Sequence, residues 1–273
     1  MPATIDLDAI AHQIKTAQDA ARQIAPLTSQ FNDFDVAAAY AVADRVHRAR
    51  LEEGAIPLGR KIGFTNPEMW ERFGVREPVW GFVYDETVVQ LSGDRPTFNL
   101  GGLAEPKLEP ELVLHFRAAP PAGGTLPDIL ECVDWIAHGF EIVQCHFPGW
   151  KFEAPDAVAD SALHGALLLG ERRCVDLLGT DLVAALASFS VELMCNEEVR
   201  ETGKGSNVLG SPLAAIAHLT GVLAKQLQYA PIRANELVTT GTLTSALSIR
   251  AGETWRTRVH DIALPGLCVT FVE

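Results

Sequence analysis

The sequence predicts an α+β protein in which N-terminal helices precede a mixed or antiparallel β-sheet. Apolar residues recur at helical spacing over 5–24 and 36–53. From residue 59 onward, most apolar runs are short and separated by glycine, proline or asparagine, as strands are. The chain has no internal repeat and no low-complexity linker. We therefore expect a helical region over 1–58 and a β-rich region over 59–273, joined in one continuous domain.

The individual elements follow from local signals. Pro26 ends the first helix, Asp35 caps the second, and Gly54 closes it. Further helices are expected over 127–138, closed by Gly139, and from Pro212 to about 228. Strands are expected at 59–66, 79–84, from Glu109, from Glu141, and at 167–169, 188–194, 199–202, 237–239, 247–250, 254–259 and 267–272.

Composition and charge exclude several classes of protein. Hydrophobic residues make up 48% of the 273 residues and charged residues 21%, as in ordinary soluble domains. The net charge of −13 argues against partners such as nucleic acid or an anionic membrane. No run of 18 apolar residues and no signal peptide is visible, so we expect a cytoplasmic protein without a membrane span. The five cysteines form no Cys-x-x-Cys pair, which argues against a zinc site or a disulfide framework.

Two glutamates lie close together at the start of a predicted strand. Alternation of side chains puts Glu109 and Glu111 on one face, about 6–7 Å apart along the strand. Like charges at that distance repel unless a cation or a proton lies between them. Mg²⁺ typically binds one or two carboxylates together with waters and substrate oxygens. A solvated strand edge would show the same pattern, so both interpretations stay open.

A third glutamate strengthens the metal interpretation. Glu141 stands alone in the apolar run over 139–143, where a buried carboxylate is costly unless it is paired or binds a metal. Together with Glu109 and Glu111 it would form an all-oxygen site suited to Mg²⁺ or Mn²⁺. Lys61, between Gly59 and Gly63, could bind a substrate carboxylate or transfer a proton; a surface lysine at a strand end is the alternative.

These residues together resemble the fumarylacetoacetate hydrolase superfamily, and within it the branch of 2-keto-4-pentenoate hydratases and 4-oxalocrotonate decarboxylases. The resemblance spans nearly the whole chain, and its strength lies in the shared order of short segments that are each weak alone. The segments are Gly59-Arg60-Lys61-Ile62-Gly63-Phe64-Thr65, Phe73-Gly74-Val75 with Glu77-Pro78, Glu109-Pro110-Glu111, Phe140-Glu141-Ile142-Val143, Asp156-Ala157-Val158-Ala159-Asp160, Val208-Leu209-Gly210-Ser211-Pro212 and Thr240-Gly241-Thr242-Leu243-Thr244.

The resemblance implies a fumarylacetoacetate-hydrolase-like mixed β-sheet roll around Mg²⁺ or Mn²⁺, whose three ligand positions fall on Glu109, Glu111 and Glu141. The cation would chelate the carboxylate and 2-oxo oxygens of a small 2-oxo acid and act as a Lewis acid. Lys61 matches the lysine near the substrate, Asp160 the acid for proton transfer, and Thr242 the position that binds the substrate carboxylate. The resemblance also implies a homo-oligomer.

The chain departs from the family pattern around the expected pocket. Ser161 and Leu163 replace residues of an Ala-Asp-Asn-Ala-Ser pattern, and Ser211 stands where histidine is frequent. The usual Asp-Ser-Arg after the third ligand is here Gln144-Cys145-His146. Because these differences lie around the expected pocket, they leave the substrate and the reaction open, whereas all three carboxylates are kept.

The leading hypothesis is a lyase of aromatic-compound catabolism that hydrates 2-hydroxy-2,4-dienoates of the 2-keto-4-pentenoate type to 4-hydroxy-2-oxo acids. The alternative is decarboxylation of a 2-oxo-dioate such as 4-oxalocrotonate, because Trp150-Lys151-Phe152 resembles the Phe-Lys-Phe of that side. Hydrolysis of an acylpyruvate ranks lower, because the N-terminal part shows no His-Glu pair of that branch. A non-catalytic partner in a complex with a sister hydratase or decarboxylase is the hypothesis from a different class.

Overall fold

The N-terminal region folds into helices, as predicted. The computed structural model describes residues 5–273, apart from the side chains of Met69 and Arg72. The first helices are α1 (Leu7–Asp19), α2 (Leu27–Gln30) and α3 (Val36–Glu52). The carboxylate of Asp6 caps α1 and that of Asp35 caps α3, each accepting from backbone N–H groups of the first turn. Helix α1 ends five residues before the predicted end at Ile24.

The rest of the described chain alternates strands with short helices. The strands are β1 (Pro57–Gly63), β2 (Val79–Tyr84), β3 (Val88–Gln90), β4 (Thr97–Asn99), β5 (Lys107–Phe116), β6 (Val133–Val143), β7 (His164–Cys174), β8 (Ser190–Cys195), β9 (Glu198–Lys204), β10 (Leu237–Thr239), β11 (Leu247–Ser248), β12 (Thr254–His260) and β13 (Cys268–Val272). The helices are α4 (Trp70–Phe73), α5 (Leu126–Glu131), α6 (Ala154–Ala159), α7 (Leu182–Ser188) and α8 (Pro212–Lys225).

The strands form two sheets, and the larger one is mixed, as predicted. Its order is β2-β1-β10-β5-β6-β7-β3, with β11 also paired to β5. The pairs β1–β10 and β3–β7 are parallel, and the other pairs of this sheet are antiparallel. The smaller sheet has the order β4-β13-β12-β8-β9. The long strands β5 and β6 therefore lie at the centre of the larger sheet.

The register between β5 and β6 brings the predicted ligands together. Glu109 on β5 lies directly opposite Glu141 on β6, and Glu111 lies opposite Gly139. Directly paired residues of antiparallel strands have Cα atoms about 4.5–5.5 Å apart. The carboxylates from 32 residues apart in sequence thus meet by strand pairing.

The predicted helix over 127–138 is wrong in its second half. Helix α5 ends at Glu131, and β6 begins at Val133 and continues to Val143. Val133, Trp135 and Ile136 favour a strand, and pairing of β6 with both β5 and β7 overrides the helical pattern. Helices α6 and α7, which are short, and strands β3 and β4, which are three residues each, were not predicted from the sequence.

Helix α8 follows its prediction closely and packs into the core. Within residues 5–273, the segment Gly205–Lys225 is long and apolar enough to cross a membrane by length and composition, but more than half of it is buried inside the fold. Leu213, Ile216 and Leu219 are fully buried there. Its apolar character is thereby accounted for by core packing.

Candidate metal centre and active site

Three carboxylates converge where β5 and β6 pair. One oxygen from each of Glu109, Glu111 and Glu141 lies within 4.8 Å of the other two. Glu111 and Glu141 are fully buried, and Glu109 is partly buried and faces a cleft. Glu111 Oε1 accepts no hydrogen bond from any described residue, and Glu141 Oε2 has only the ammonium of Lys61 beside it, at 3.3 Å. Buried carboxylate oxygens without donors are costly, so this donor set fits a hard divalent cation such as Mg²⁺ or Mn²⁺.

The pKa values of the three carboxyls reflect crowded negative charge. Burial and then repulsion from Glu141 raise the pKa of Glu109 to about 7, although Lys61 opposes the rise. Burial, with repulsion from Glu141 and Glu109, raises the pKa of Glu111 well above its usual value. Burial opposes ionisation of Glu141 too, but Lys61 and His164 outweigh it and lower the pKa of Glu141. A divalent cation would relieve this repulsion and keep all three groups ionised.

Lys61 lies on β1 beside the carboxylates, where it also lines the cleft. Its Nζ lies 3.3 Å from Glu141 Oε2 and donates to the carbonyl oxygen of Ala162 at 2.9 Å. Burial would lower the pKa of Lys61, but the charges of Glu141, Glu109 and Glu111 raise it above its usual value. Lys61 is therefore an ammonium, and one of its three N–H groups remains for a molecule in the cleft.

His164 was not among the predicted site residues, yet it contacts Glu141, a predicted metal ligand. Its Nδ1 lies 2.8 Å from Glu141 Oε1, and its Nε2 lies 2.9 Å from the hydroxyl of Thr87. Partners of this kind fix the orientation of metal-binding carboxylates. His164 reaches the site because β6 pairs with β7, which places His164 opposite Val143. The spacing of residues in the sequence does not reveal that pairing.

The Gly241-Thr242 turn approaches Glu111 from the other side. The backbone N–H of Gly241 donates to Glu111 Oε2 at 2.7 Å. Gly241 has φ +101°, and a Cβ there would lie 2.1 Å from Thr65 Oγ1, so only glycine fits. Thr242 lines the cleft, and its hydroxyl donates to the carbonyl of Thr244 at 2.9 Å. The turn thus positions one predicted metal ligand, Glu111, and one predicted substrate-binding residue, Thr242.

A cleft of about 1200 Å³ opens above the carboxylates. Aromatic rings form one wall: Phe73 stacks between Phe64 and Phe152 at centroid distances of 4.6 and 5.5 Å. Trp150 continues the wall, with its ring centroid 6.3 Å from that of Phe152. Lys107 Nζ lies 3.9 Å from the centre of the Trp150 ring. Such a wall suits a flat, conjugated molecule with one charged end at the carboxylates.

Asp160 lies apart from the cleft-lining residues. It is 1% exposed, and His146 Nδ1 lies 2.9 and 2.8 Å from its two carboxylate oxygens. Gln18 also donates to Asp160 Oδ1 at 3.0 Å. The structure brings Lys61, Thr242 and the three glutamates together but places Asp160 behind them, and its role in proton transfer stays a prediction.

Three of the residues that depart from the family pattern, Ser161, Leu163 and Ser211, fall in different places. Leu163 lines the cleft. The hydroxyl of Ser161 accepts from Gln18 at 3.1 Å, away from the cleft. Ser211 is the N-cap of α8, where its Oγ accepts from the N–H of Leu213. Of the three, Leu163 alone is positioned to contact a substrate directly.

Solved structures identify the fold. 4-Oxalocrotonate decarboxylase from Pseudomonas putida G7, solved with magnesium and adipate, matches with a TM-score of 0.88 and 26% identity over 98% of this chain and 99% of that one. Fumarylpyruvate hydrolase from Pseudomonas aeruginosa, solved with Mn²⁺ and pyruvate, matches with a TM-score of 0.58 at 16% identity over 80% and 90% of the two chains. The fold is that of the fumarylacetoacetate hydrolase class, and the carboxylates occupy the centre of its sheet.

Proteins of similar sequence indicate the family within this fold class. "2-Keto-4-pentenoate hydratase 2" of Dechloromonas aromatica is 32% identical over 95% of this chain and 94% of its own length. "4-Oxalocrotonate decarboxylase" of Pseudomonas putida is 28% identical over 93% of each chain. No protein-family model matches the sequence. The chain belongs to the family of 2-keto-4-pentenoate hydratases and 4-oxalocrotonate decarboxylases, as the resemblance indicated. The named relatives are lyases.

Proposed function

We propose that the protein is a divalent-metal-dependent hydratase of 2-hydroxy-2,4-dienoates that forms 4-hydroxy-2-oxo acids. The reaction adds water across the C4–C5 double bond and converts the 2-hydroxy group to a 2-oxo group. The observation that supports it most is the convergence of Glu109, Glu111 and Glu141, with a buried Glu111 oxygen that has no donor and with Glu109 facing an aromatic cleft. Hydratases are also prominent among the relatives at 30–32% identity.

The three glutamates would hold the cation, and Glu109 is the one that faces the cleft. When bound, Mg²⁺ or Mn²⁺ would supply Lewis-acid stabilisation of the negative charge that develops on the oxo acid. Glu141 is oriented by His164 and Lys61, and Glu111 by Gly241. These contacts fix the carboxylates before a substrate arrives.

Lys61 is the proposed proton carrier. It lines the cleft as an ammonium, so it can donate a proton or a hydrogen bond to the substrate, while Glu141 and Ala162 hold its Nζ in place. The hydroxyl of Thr242 can leave its contact with Thr244 to receive the substrate carboxylate. The aromatic wall excludes water from the diene and keeps it flat.

Decarboxylation of a 2-oxo-dioate is the second candidate. It is supported by the TM-score of 0.88 to a decarboxylase that was solved with a dicarboxylate, and by Lys107 in the cleft. Lys151, which suggested this activity in the sequence, is exposed and not among the described residues that line the cleft. The Trp150-Lys151-Phe152 segment thus contributes two rings to the cleft but no charge, which favours hydration.

A pair of assays separates the two candidates. The Mg²⁺-loaded protein is supplied with 2-hydroxypenta-2,4-dienoate, and loss of the dienoate absorbance is followed; CO₂ release from 4-oxalocrotonate is measured separately. Hydration of the dienoate is the expected result, and Glu111→Gln is the control that should abolish it. Release of CO₂ without hydration would replace the hydratase proposal with the decarboxylase.

Assembly and location belong to the same proposal. We expect a cytoplasmic homo-oligomer that acts on a small 2-oxo acid and can associate with a sister hydratase or decarboxylase. A protein that binds Mg²⁺, turns over neither substrate and co-purifies with an active relative would instead be a non-catalytic partner. Size-exclusion chromatography with light scattering measures the number of subunits when the protein is run alone, and the association with the sister enzyme when the two are mixed.

A further inference from the structure

A buried polar cluster lies behind the proposed active site and is not explained by metal binding. His146 and Asp160 are each 1% exposed, and His146 Nδ1 contacts both oxygens of the Asp160 carboxylate. Gln18, at the end of α1, donates to Asp160 at 3.0 Å, and Arg50 on α3 donates to Gln18 Oε1 at 3.2 Å. The cluster therefore joins both long N-terminal helices to the residue that precedes an unusual turn.

That turn holds an unfavourable backbone conformation. Ser161, Ala162 and Leu163 have φ values of +53°, +52° and +63°, in the left-handed region. Each such non-glycine residue is unfavourable and persists only where the surroundings hold it. The turn also packs against Gly81, where a Cβ would lie 2.5 Å from the Ser161 carbonyl oxygen. Three consecutive residues of this kind require strong external support.

The middle residue of the turn contacts the proposed proton carrier. The carbonyl oxygen of Ala162 accepts from Lys61 Nζ at 2.9 Å, and Ala162 and Leu163 line the cleft. In the left-handed conformation the Ala162 carbonyl points at Lys61, and a relaxed turn would turn it away. The direction of the ammonium therefore depends on the shape of the turn.

We propose that His146 and Gln18 are positioning residues, which clamp Asp160 so that the strained turn 161–163 aims Lys61 into the cleft. The proposal rests on the proposed function in that it assigns Lys61 the proton transfer. It gives the N-terminal helices a part in the active site, and it gives Asp160 a role that needs no contact with substrate.

Substitutions at His146 distinguish two roles of its side chain: holding Asp160 by a polar contact, and filling space in the core. His146→Asn keeps a donor near the position of Nδ1, whereas His146→Leu fills the space without a donor. We expect His146→Leu to lower kcat about 10–100-fold and to leave KM and Mn²⁺ affinity within about threefold of wild type. His146→Asn should restore most of kcat. The matched control is His115→Leu, which removes a His–Asp contact of 2.7 Å between His115 and Asp134 outside the cleft.

Crystal structures of the His146 variants give a readout that needs no turnover. The contact between Lys61 Nζ and the Ala162 carbonyl should be lost in His146→Leu and kept in His146→Asn. If His146→Leu does not fold, Gln18→Leu carries the same test, because Gln18 is only partly buried.

Three results would overturn the inference: an unchanged contact in His146→Leu, equal damage to kcat in both variants, or loss of Mn²⁺ affinity together with kcat. Absence of turnover in the wild-type protein would instead contradict the proposed function, and the structures would still decide whether the clamp exists.

Discussion

Gly241→Ala tests how closely the turn beyond β10 controls the candidate metal centre. The new Cβ would lie 2.1 Å from Thr65 Oγ1, and alanine would have to adopt φ +101°. The turn must shift to relieve the overlap, and the N–H that donates to Glu111 Oε2 at 2.7 Å moves with it. One substitution thus strains the backbone and removes a hydrogen bond from Glu111, a buried, predicted metal ligand.

The expected loss of stability in Gly241→Ala follows from the backbone strain and the lost hydrogen bond. A left-handed alanine costs about 1–3 kcal/mol, and loss of a hydrogen bond to a charged group costs about 1.5–3 kcal/mol. We expect the free energy of unfolding to fall by about 2.5–6 kcal/mol. Because Glu111 loses the donor that orients it, Mn²⁺ should bind about 10–100-fold more weakly.

Gly252→Ala is the matched control, because Gly252 has φ +88° and no atom within 4 Å of its Cβ position in the described structure. It shares the backbone strain without the overlap or the contact with Glu111. Urea unfolding without metal gives the free energies, and isothermal titration with Mn²⁺ gives the affinities. If Gly241→Ala loses no more stability than Gly252→Ala and binds Mn²⁺ as tightly as wild type, the reasoning is refuted.

Three further predictions address the site and the fold. Glu111→Gln or Glu141→Gln should abolish metal-dependent turnover while circular dichroism stays native; unchanged turnover in either would remove that residue from the site. Lys61→Met should lower kcat more than Mn²⁺ affinity, and an intact rate would make Lys61 structural. Burial lowers the pKa of His138 from 6.5 to about 4, so its fold prefers the neutral ring. This contribution to stability is present above pH 6.5 and is lost as the pH falls towards 4. By pH 5 the loss amounts to about 2 kcal/mol, and urea unfolding of His138→Asn should lack that part of the pH dependence.

Local signals in the sequence predicted much of the fold. Asp35 caps α3 and Pro212 begins α8 where expected, because capping and proline act on neighbouring residues. The turn at Asn196 and Glu197 has positive φ at both residues, as a tight hairpin requires. Residues 133–138 were predicted to be helical but form a strand, because they pair with β5 and β7. Local periodicity does not encode that pairing.

The site shows the same division between local and long-range information. Glu109 and Glu111 could be found because alternation along one strand is a local property. The contact of Glu141 with His164 depends on strand register, and the contact of Asp160 with His146 and Gln18 depends on packing of the N-terminal helices. Such contacts join distant segments, so residues that support a site are harder to predict than those that form it.

The register that sets Glu109 opposite Glu141 has a consequence for the stability and the amount of the protein in the cell. Like charges directly across an antiparallel pair destabilise it, and this pair lies in the middle of the larger sheet. A cation that binds the folded chain alone stabilises it by mass action, by about 2.7 kcal/mol at a hundred times its dissociation constant. Newly made chains in a metal-starved cell would then populate the unfolded state more often and be exposed to proteases. Supply of the metal would set the amount of protein as well as its activity.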